Sequence, residues 1–316
     1  MPFGGRWSLG VLWVTALLAA SGCELAKCGG DAGNGAMCIK ATSLVRYEGD
    51  ALEPDAMPYT PGTDVSVHDV YGNIHVVEGE PGILRVKFEP FNYRAYDAES
   101  AAREELVSSF ESGFALTDTG FLAQTGRHDG SNGLGADVTL YLPPEFDARI
   151  TAVSHGEGPV NPGDLNVEFA GHARYLTVQT NSLGDCTVHD APSAEWTDAR
   201  CDGDITITNV TGGATINATG LDSLVTYAPI DMANGQIRSE DGDIVMTFPE
   251  DGIFYVSAGT GKDGSIDAAM LAERCEAKGT ADTSKSFFCG GADATSPEYF
   301  LTASPKGGSG SISLRF

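Results

Sequence analysis

The chain has 316 residues, 41% of them hydrophobic and 20% charged, with 40 glycines at irregular intervals. That composition is too apolar for a disordered protein, and its glycine spacing is not that of collagen. Its 44 Asp plus Glu against 19 Lys plus Arg give a formal net charge of -25, which argues against nucleic acid and anionic lipid headgroups as partners. A solvated acidic surface is the plain reading of this charge; divalent-cation binding is the sharper one.

The N-terminus reads as an export signal. Arg6 precedes "LGVLWVTALLAA" (9–20), an uncharged apolar run of secretory length that is too short to span a bilayer comfortably. "ASGC" at 20–23 resembles a bacterial lipobox, in which the cysteine is joined to a diacylglycerol and the chain is cut just before it. Ala20 departs from that pattern, where Leu is usual, and ordinary cleavage near "ASG" is the alternative. The cysteine count favours lipidation of Cys23 and a signal peptide over 1–22. Seven cysteines is an odd number for an exported chain. Setting Cys23 aside leaves six, in three sequence-local pairs: Cys28 with Cys38, Cys186 with Cys201, and Cys275 with Cys289. An oxidising compartment permits such disulfides, and local pairing is the simplest of the many connectivities six cysteines allow. Cys-x-x-Cys is absent, and with it the usual zinc and thioredoxin-type spacings. Residue 24 is Glu, not the Asp that retains some lipoproteins in the inner membrane, so the outer membrane is the default destination.

Residues 23–63 read as a tether. The first part is rich in Gly, Ala and small polar residues, with a loop between Cys28 and Cys38; the second carries Pro54, Pro58 and Pro61. The folded domain is expected over 64–316. "VSVHDVYGNIHVVEGEPGILRVKFEP" (65–90) alternates apolar and polar residues, with turns at Gly72 and Pro81-Gly82, and fits two or three strands. The period then changes. An Ala/Glu-rich stretch predicts a short helix at 97–111, with Asp97 as N-cap and Leu106, Val107 and Phe110 on one face. Strands return at "FLAQTGR" and "ADVTLYLPP". A second helix is predicted at 267–279, and strand and turn elsewhere between 137 and 316.

One phrase recurs through this region. "CDGDITITNV" at 201–210 is nearly copied by "DGDIVMTF" at 241–248, and more loosely by "GDLNVEF" at 163, "LGDCTVHD" at 183, "YGNIHVVEG" at 71 and "GSGSISLRF" at the end. Its glycine falls at 163, 184, 203, 242 and 264, with "TGLDSLVTY" filling the longest gap. A period near 20 residues predicts stacked coils. In such coils each Gly-Asp forms a corner, Gly through positive φ and Asp by bonding its turning backbone. Leu165 and Val167, Ile205 and Ile207, and Ile244, Met246 and Phe248 then point inward as ladders. An antiparallel sandwich of hairpins, two strands per unit, gives the same spacing.

The order of these phrases carries a resemblance. "DVYGNIHVVEG", a helical interruption, and "VTLYLPPEFDARITAVSHGEG" are followed by "GDITITNVTGGATI" and "GQIRSEDGDIVMTFPEDGIFYVSAGTGKDGSI". This succession resembles the bacterial putative-adhesin family, a domain of unknown function related to the auto-transporter adhesin head domain, over roughly residues 64–316. The resemblance implies an all-β fold, a right-handed single-stranded β-solenoid on the envelope or cell surface. It implies no catalytic residues and no cofactor. The acidic insertion bearing Cys275 and Cys289 departs from the family, which does not require the disulfides.

Other candidate sites are sparse. His155, His172 and His189 are spaced 17 residues apart and could share a zinc if stacked; exposed or turn histidines are the plainer alternative. Asp202, Asp204, Asp241, Asp243 and Asp263 flank the corners. They form Asx turns, hold Ca²⁺, or pair for acid/base chemistry on a polysaccharide, the first being the simplest. No G-x-S-x-G and no phosphate-binding glycine loop occurs, and the aromatic residues show no obvious outward row. The reading is a lipid-anchored, non-enzymatic protein of the bacterial outer membrane or cell surface, with a surface-contact, adhesion or scaffolding role toward an envelope glycan or protein. A glycan-binding or glycan-cleaving β-helix is the alternative.

Overall fold

The computed structural model describes residues 44–95, 98–127, 134–155, 163–180, 183–189, 195–293, 295–305 and 309–316. The signal segment, Cys23, Cys28 and Cys38 lie outside the described residues. Within them the fold is nearly all β, interrupted by two short helices.

Two parallel ladders organise it. The first runs through Leu165–Val167, Cys186–Val188 and Ile205–Val210, then the second halves of Gly213–Pro229 and Gly235–Thr247. Its register is Leu165 to Cys186, Cys186 to Ile205, Ile205 to Val225, and Val225 to Ile244. The second runs through Arg149–Ser154, Tyr175–Thr180 and Trp196–Cys201, then the first halves of the same two long strands. There Ile150, Leu176, Thr197, Ala214 and Gly235 are aligned. Each repeat of about 20 residues therefore contributes one strand to each ladder. Hairpins would have paired antiparallel; these strands do not.

Alternation along the strand explains the packing. Leu165, Val167, Ile205, Ile207, Ile244, Met246 and Phe248 are all buried, as the repeat predicts, and they stack with Cys186, Val188, Val225 and Tyr227 in one core. The residues between them, Asn166, Thr187, Thr206, Thr226 and Val245, face outward and are half-buried.

Stacking follows chain order only from 149 to 247. Beyond that, Ile244 pairs with Ile312, and Ile312 with Ile266. The C-terminal strands Glu298–Ala303 and Ser311–Arg315 thus insert between the repeat at 235–247 and the one at 254–267. The spacing from Gly242 to Gly264 predicts one more coil, but the two strands are not neighbours, since Ser311–Arg315 lies between them. The other end is permuted too: Leu165 pairs with Ile74, and Ile74 with Val138.

Antiparallel strands cover both ends. Phe254–Thr260 is flanked by Ser284–Cys289, which pairs with Glu276–Ala281. At the other end Leu134–Leu142 is flanked by Ile83–Ala95, and Gly120–Arg127 by Phe110–Thr117. Such caps satisfy N–H and C=O groups that a bare parallel edge would present to other chains.

Several expectations are corrected. Leu44–Glu48 lies along Ile83–Ala95, and Tyr59 is buried, so the second half of the stretch read as a tether belongs to the fold. The first helix is Glu99–Ser109 (α1). It buries Ala102 and Leu106, four residues apart, whereas Val107 is 89% exposed and Phe110 opens the next strand. Its N-cap is Ala98, without a side-chain cap bond. The second helix, Ala269–Arg274 (α2), is about half the predicted length. Residues 276–281 are strand instead, because pairing with Ser284–Cys289 outweighs their helical preference.

Candidate functional site

The corners of the first ladder are tied by their own Asn and Asp side chains. Asn73 Oδ1 accepts the Asp164 N–H at 2.9 Å, and Asp164 Oδ1 accepts the Asp185 N–H at 3.0 Å. Asp185 Oδ1 accepts the Asp204 N–H, and Asp204 Oδ1 the Leu224 N–H, each at 2.7 Å. Asp243 Oδ1 accepts the Ser311 N–H at 2.6 Å. The bond is therefore made to the neighbouring repeat, not within the aspartate's own turn. Partial burial pushes the Asp185 carboxyl above its ordinary pKa; the bond from Asp204 opposes this, and the charges of Asp164 and Asp204 add to it.

Glycine at these corners has a different reason from the expected one. Gly163 does take a positive φ of 71°. Gly203, Gly242 and Gly264 do not, yet a Cβ on them would overlap Asp185, the Ser223 carbonyl and the Gly310 carbonyl. Their task is to let neighbouring repeats approach.

The five corner aspartates do not converge. Asp204 and Asp243 hold backbone N–H groups, Asp202 accepts from Thr219 Oγ1, and Asp263 lies beside Lys262 Nζ at 3.8 Å. The histidines do not stack either. His155 packs on Tyr71, the His172 N–H donates to the Phe146 carbonyl, and His189 Nδ1 is 2.7 Å from Thr208 Oγ1. Among the described residues no group of three His, Cys, Asp or Glu is placed to hold a metal ion.

Cys186 and Cys201 sit at disulfide distance, with Cα atoms 6.2 Å apart, as do Cys275 and Cys289, at 4.4 Å. Cys186 is in register with Ile205, so its link to Cys201 crosses the inside of a corner from one ladder to the other. Cys275 and Cys289 join the end of α2 to the capping hairpin.

The outward faces differ. On the first ladder, Asn73, His75, Asp164, Asn166, Glu168, Asp185, Thr187 and His189 line a shallow polar concavity of about 430 Å³. The second ladder carries aromatic rings. Tyr175 and Trp196 are in register with Gly213, and the Trp196 indole covers the space a Gly213 side chain would fill. Beyond the indole, Trp196, Asn234, Gly235, Gln236, Glu298 and Phe300 line a cleft of about 280 Å³. Phe300 meets Tyr255 edge-on at 6.3 Å between ring centres, and Tyr255 meets Phe288 at 4.7 Å. Cations close both ends, Arg149 over Tyr175 at 5.1 Å and Lys278 over Phe288 at 5.4 Å.

This outward row is absent from the sequence reading. Along the stack its members run 175, 196, 300, 255, 288, an order that chain numbering hides. A local signal exists for the first two: each is an aromatic residue standing just before the strand's first inward residue, Leu176 or Thr197.

No family model and no curated protein matches the chain. Solved structures similar to it include a "putative cell adhesion protein" from Clostridium sporogenes, 13% identical, covering 84% of this chain and 99% of that one, with a TM-score of 0.35. A "putative adhesin" from Bacteroides fragilis is 11% identical, covers 84% and 97%, and has a TM-score of 0.39. Another from Parabacteroides distasonis is 13% identical, covers 64% and 91%, and has a TM-score of 0.26. Likeness at this level says nothing of ligand or activity.

Proposed function

We propose that the chain is an exported lipoprotein, anchored through Cys23 in the bacterial outer membrane. Its stacked two-strand repeats form a right-handed β-solenoid, and its role is non-enzymatic surface contact, in adhesion or scaffolding. One observation carries this reading: the second ladder leaves Tyr175 42%, Trp196 37% and Phe300 44% exposed, on strands bonded to neighbours along both edges. Large rings held in water on a stiff face mark a contact surface, because covering them recovers apolar area with little ordering cost. The charge of -25 keeps copies of the chain apart in the meantime.

The test is display of the chain on a non-adherent bacterium, with protease shaving of intact cells to report exposure. Attachment to mucin-coated surfaces or between cells should rise, and should fall again on shaving. A chain hidden from protease, or attachment that never changes, overturns the reading.

A further inference from the structure

We propose that the cleft between Trp196 and Phe300 is a binding site for a neutral glycan, whose chain lies along the aromatic row of the second ladder. The inference rests on the surface-contact reading for its biology and names the partner's chemistry.

The walls and floor of the cleft are of different kinds. Trp196 stands on one side and Phe300 on the other, with Glu298 two residues before Phe300 on its strand; Asn234 and Gln236 come from the neighbouring chain segment between them. Sugar rings have this same split character. Their C–H faces are apolar and lie flat on aromatic rings, while their hydroxyls at the rim need donors and acceptors. Gln236 supplies an amide, Asn234 an NH₂ group (its Oδ1 accepts the Glu298 N–H at 2.9 Å), and Glu298 a carboxylate that accepts from hydroxyls. A purely apolar partner would strip water from these groups and leave them unsatisfied. The volume of about 280 Å³ lies near the lower end of small-ligand pockets, about 300 Å³, and suits a sugar ring with its hydroxyls.

The site is built rather than incidental. The indole of Trp196 occupies space that exists only because residue 213 is glycine. Gly235, at the back of the cleft, is glycine for the inward side: a Cβ there would crowd the buried Tyr299 ring, whose neighbour Phe300 faces out. Two adjacent strands thus omit side chains, one beneath the indole and one over the core.

The row continues past the cleft in both directions, to Tyr175 on one side and to Tyr255 and Phe288 on the other. From Tyr175 to Phe288 it crosses six strand spacings, roughly 29 Å at about 4.8 Å each. That length spans several sugar rings and favours a chain over a single sugar. Charge decides which chains. Glu298 lining the cleft and a net charge of -25 oppose uronic acids and sulfated sugars, so neutral hexose or N-acetylhexosamine chains are favoured.

The chain contains three tryptophans, Trp7, Trp13 and Trp196. Cleavage before Cys23 removes Trp7 and Trp13, so in the mature chain Trp196 is the single indole and its fluorescence reads the cleft directly. Titration with neutral hexasaccharides of β-1,4-linked glucose, N-acetylglucosamine and mannose should shift that emission saturably for at least one. An oligogalacturonate of equal length should not. By calorimetry on the wild-type chain, Phe300→Ala and Gln236→Ala should each weaken binding by about tenfold, and Thr206→Ala, on the other ladder, should leave it unchanged. Circular dichroism of each variant shows whether the fold is intact. If no neutral chain shifts Trp196 while displayed cells still attach, the glycan inference falls and surface contact stands. Attachment lost only when the target surface is stripped of protein assigns the row to a protein partner and likewise overturns it. Sugar binding without any attachment keeps the cleft and sinks the surface-contact reading.

Discussion

The side chain of Asp185 accepts the backbone N–H of Asp204 at 2.7 Å, one repeat further along the stack. Asn73 makes the same bond to Asp164 with an amide oxygen. The corner therefore needs an acceptor, not a charge. Asp185→Asn keeps the acceptor and removes repulsion from Asp164 and Asp204, so its urea midpoint at pH 7 should equal or exceed that of the wild type. Asp185→Ala loses the bond and should cost about 1 kcal/mol. The pH dependence follows from the raised pKa. The folded chain binds this proton more readily than the unfolded one, so stability falls as pH rises from the ordinary value of 3.8 through the raised one. Asp185→Asn should flatten that decline. A lower midpoint for Asn at pH 7 would show that the charge itself is required.

Ile205 is fully buried, and Thr206 faces outward on the same strand. Ile205→Asp buries a carboxylate without a counter-charge and should destabilise by several kcal/mol, on the order of the whole stability of a domain. Thr206→Asp should cost less than about 1 kcal/mol. Equal losses in thermal melts would contradict the inward and outward assignment.

Tyr227 is buried between the ladders with a hydroxyl that has no hydrogen-bond partner among the described residues. Burial, with a smaller contribution from Tyr299, raises its pKa well above that of an ordinary tyrosine. Tyr227→Phe removes the stranded hydroxyl while keeping the ring, and should be neutral or stabilise by about 1 kcal/mol. A clear loss in chemical denaturation would reveal a partner for that oxygen.

Non-reducing peptide mapping should find Cys28 joined to Cys38, Cys186 to Cys201 and Cys275 to Cys289. The chain-entropy model gives about 3 kcal/mol for closing a loop the size of the middle one. Recovery of Cys186 as an alkylated thiol, or joined to any other cysteine, rejects that pairing.

Cys23→Ser should move the protein from membranes to the soluble fraction and remove the acyl mass from its N-terminal peptide. A single chain would hold only marginally, so the full modification with several chains is expected. A membrane-bound variant, beside a wild type of unmodified mass, refutes the anchor.

Alternation and step are both written in short stretches of the chain. The apolar positions at Leu165, Cys186, Ile205 and Ile244, recurring at one or two times about 20 residues, are local facts. Side chains two apart must share a face once the backbone is extended. Local pairing of Cys186 with Cys201 and of Cys275 with Cys289 was legible for the same reason, since spacing in the chain limits reach. Which strands meet depends on long-range packing. Nothing local distinguishes Ile266 from Ile312 as the neighbour of Ile244; the choice falls to Ile312 because the last strands fill the stack before the hairpin at 276–289 caps it. The same permutation sets Phe300 between Trp196 and Tyr255 along the ladder. The aromatic row is thus a property of strand order, and strand order is set by long-range hydrogen bonding and burial that no short window of sequence contains.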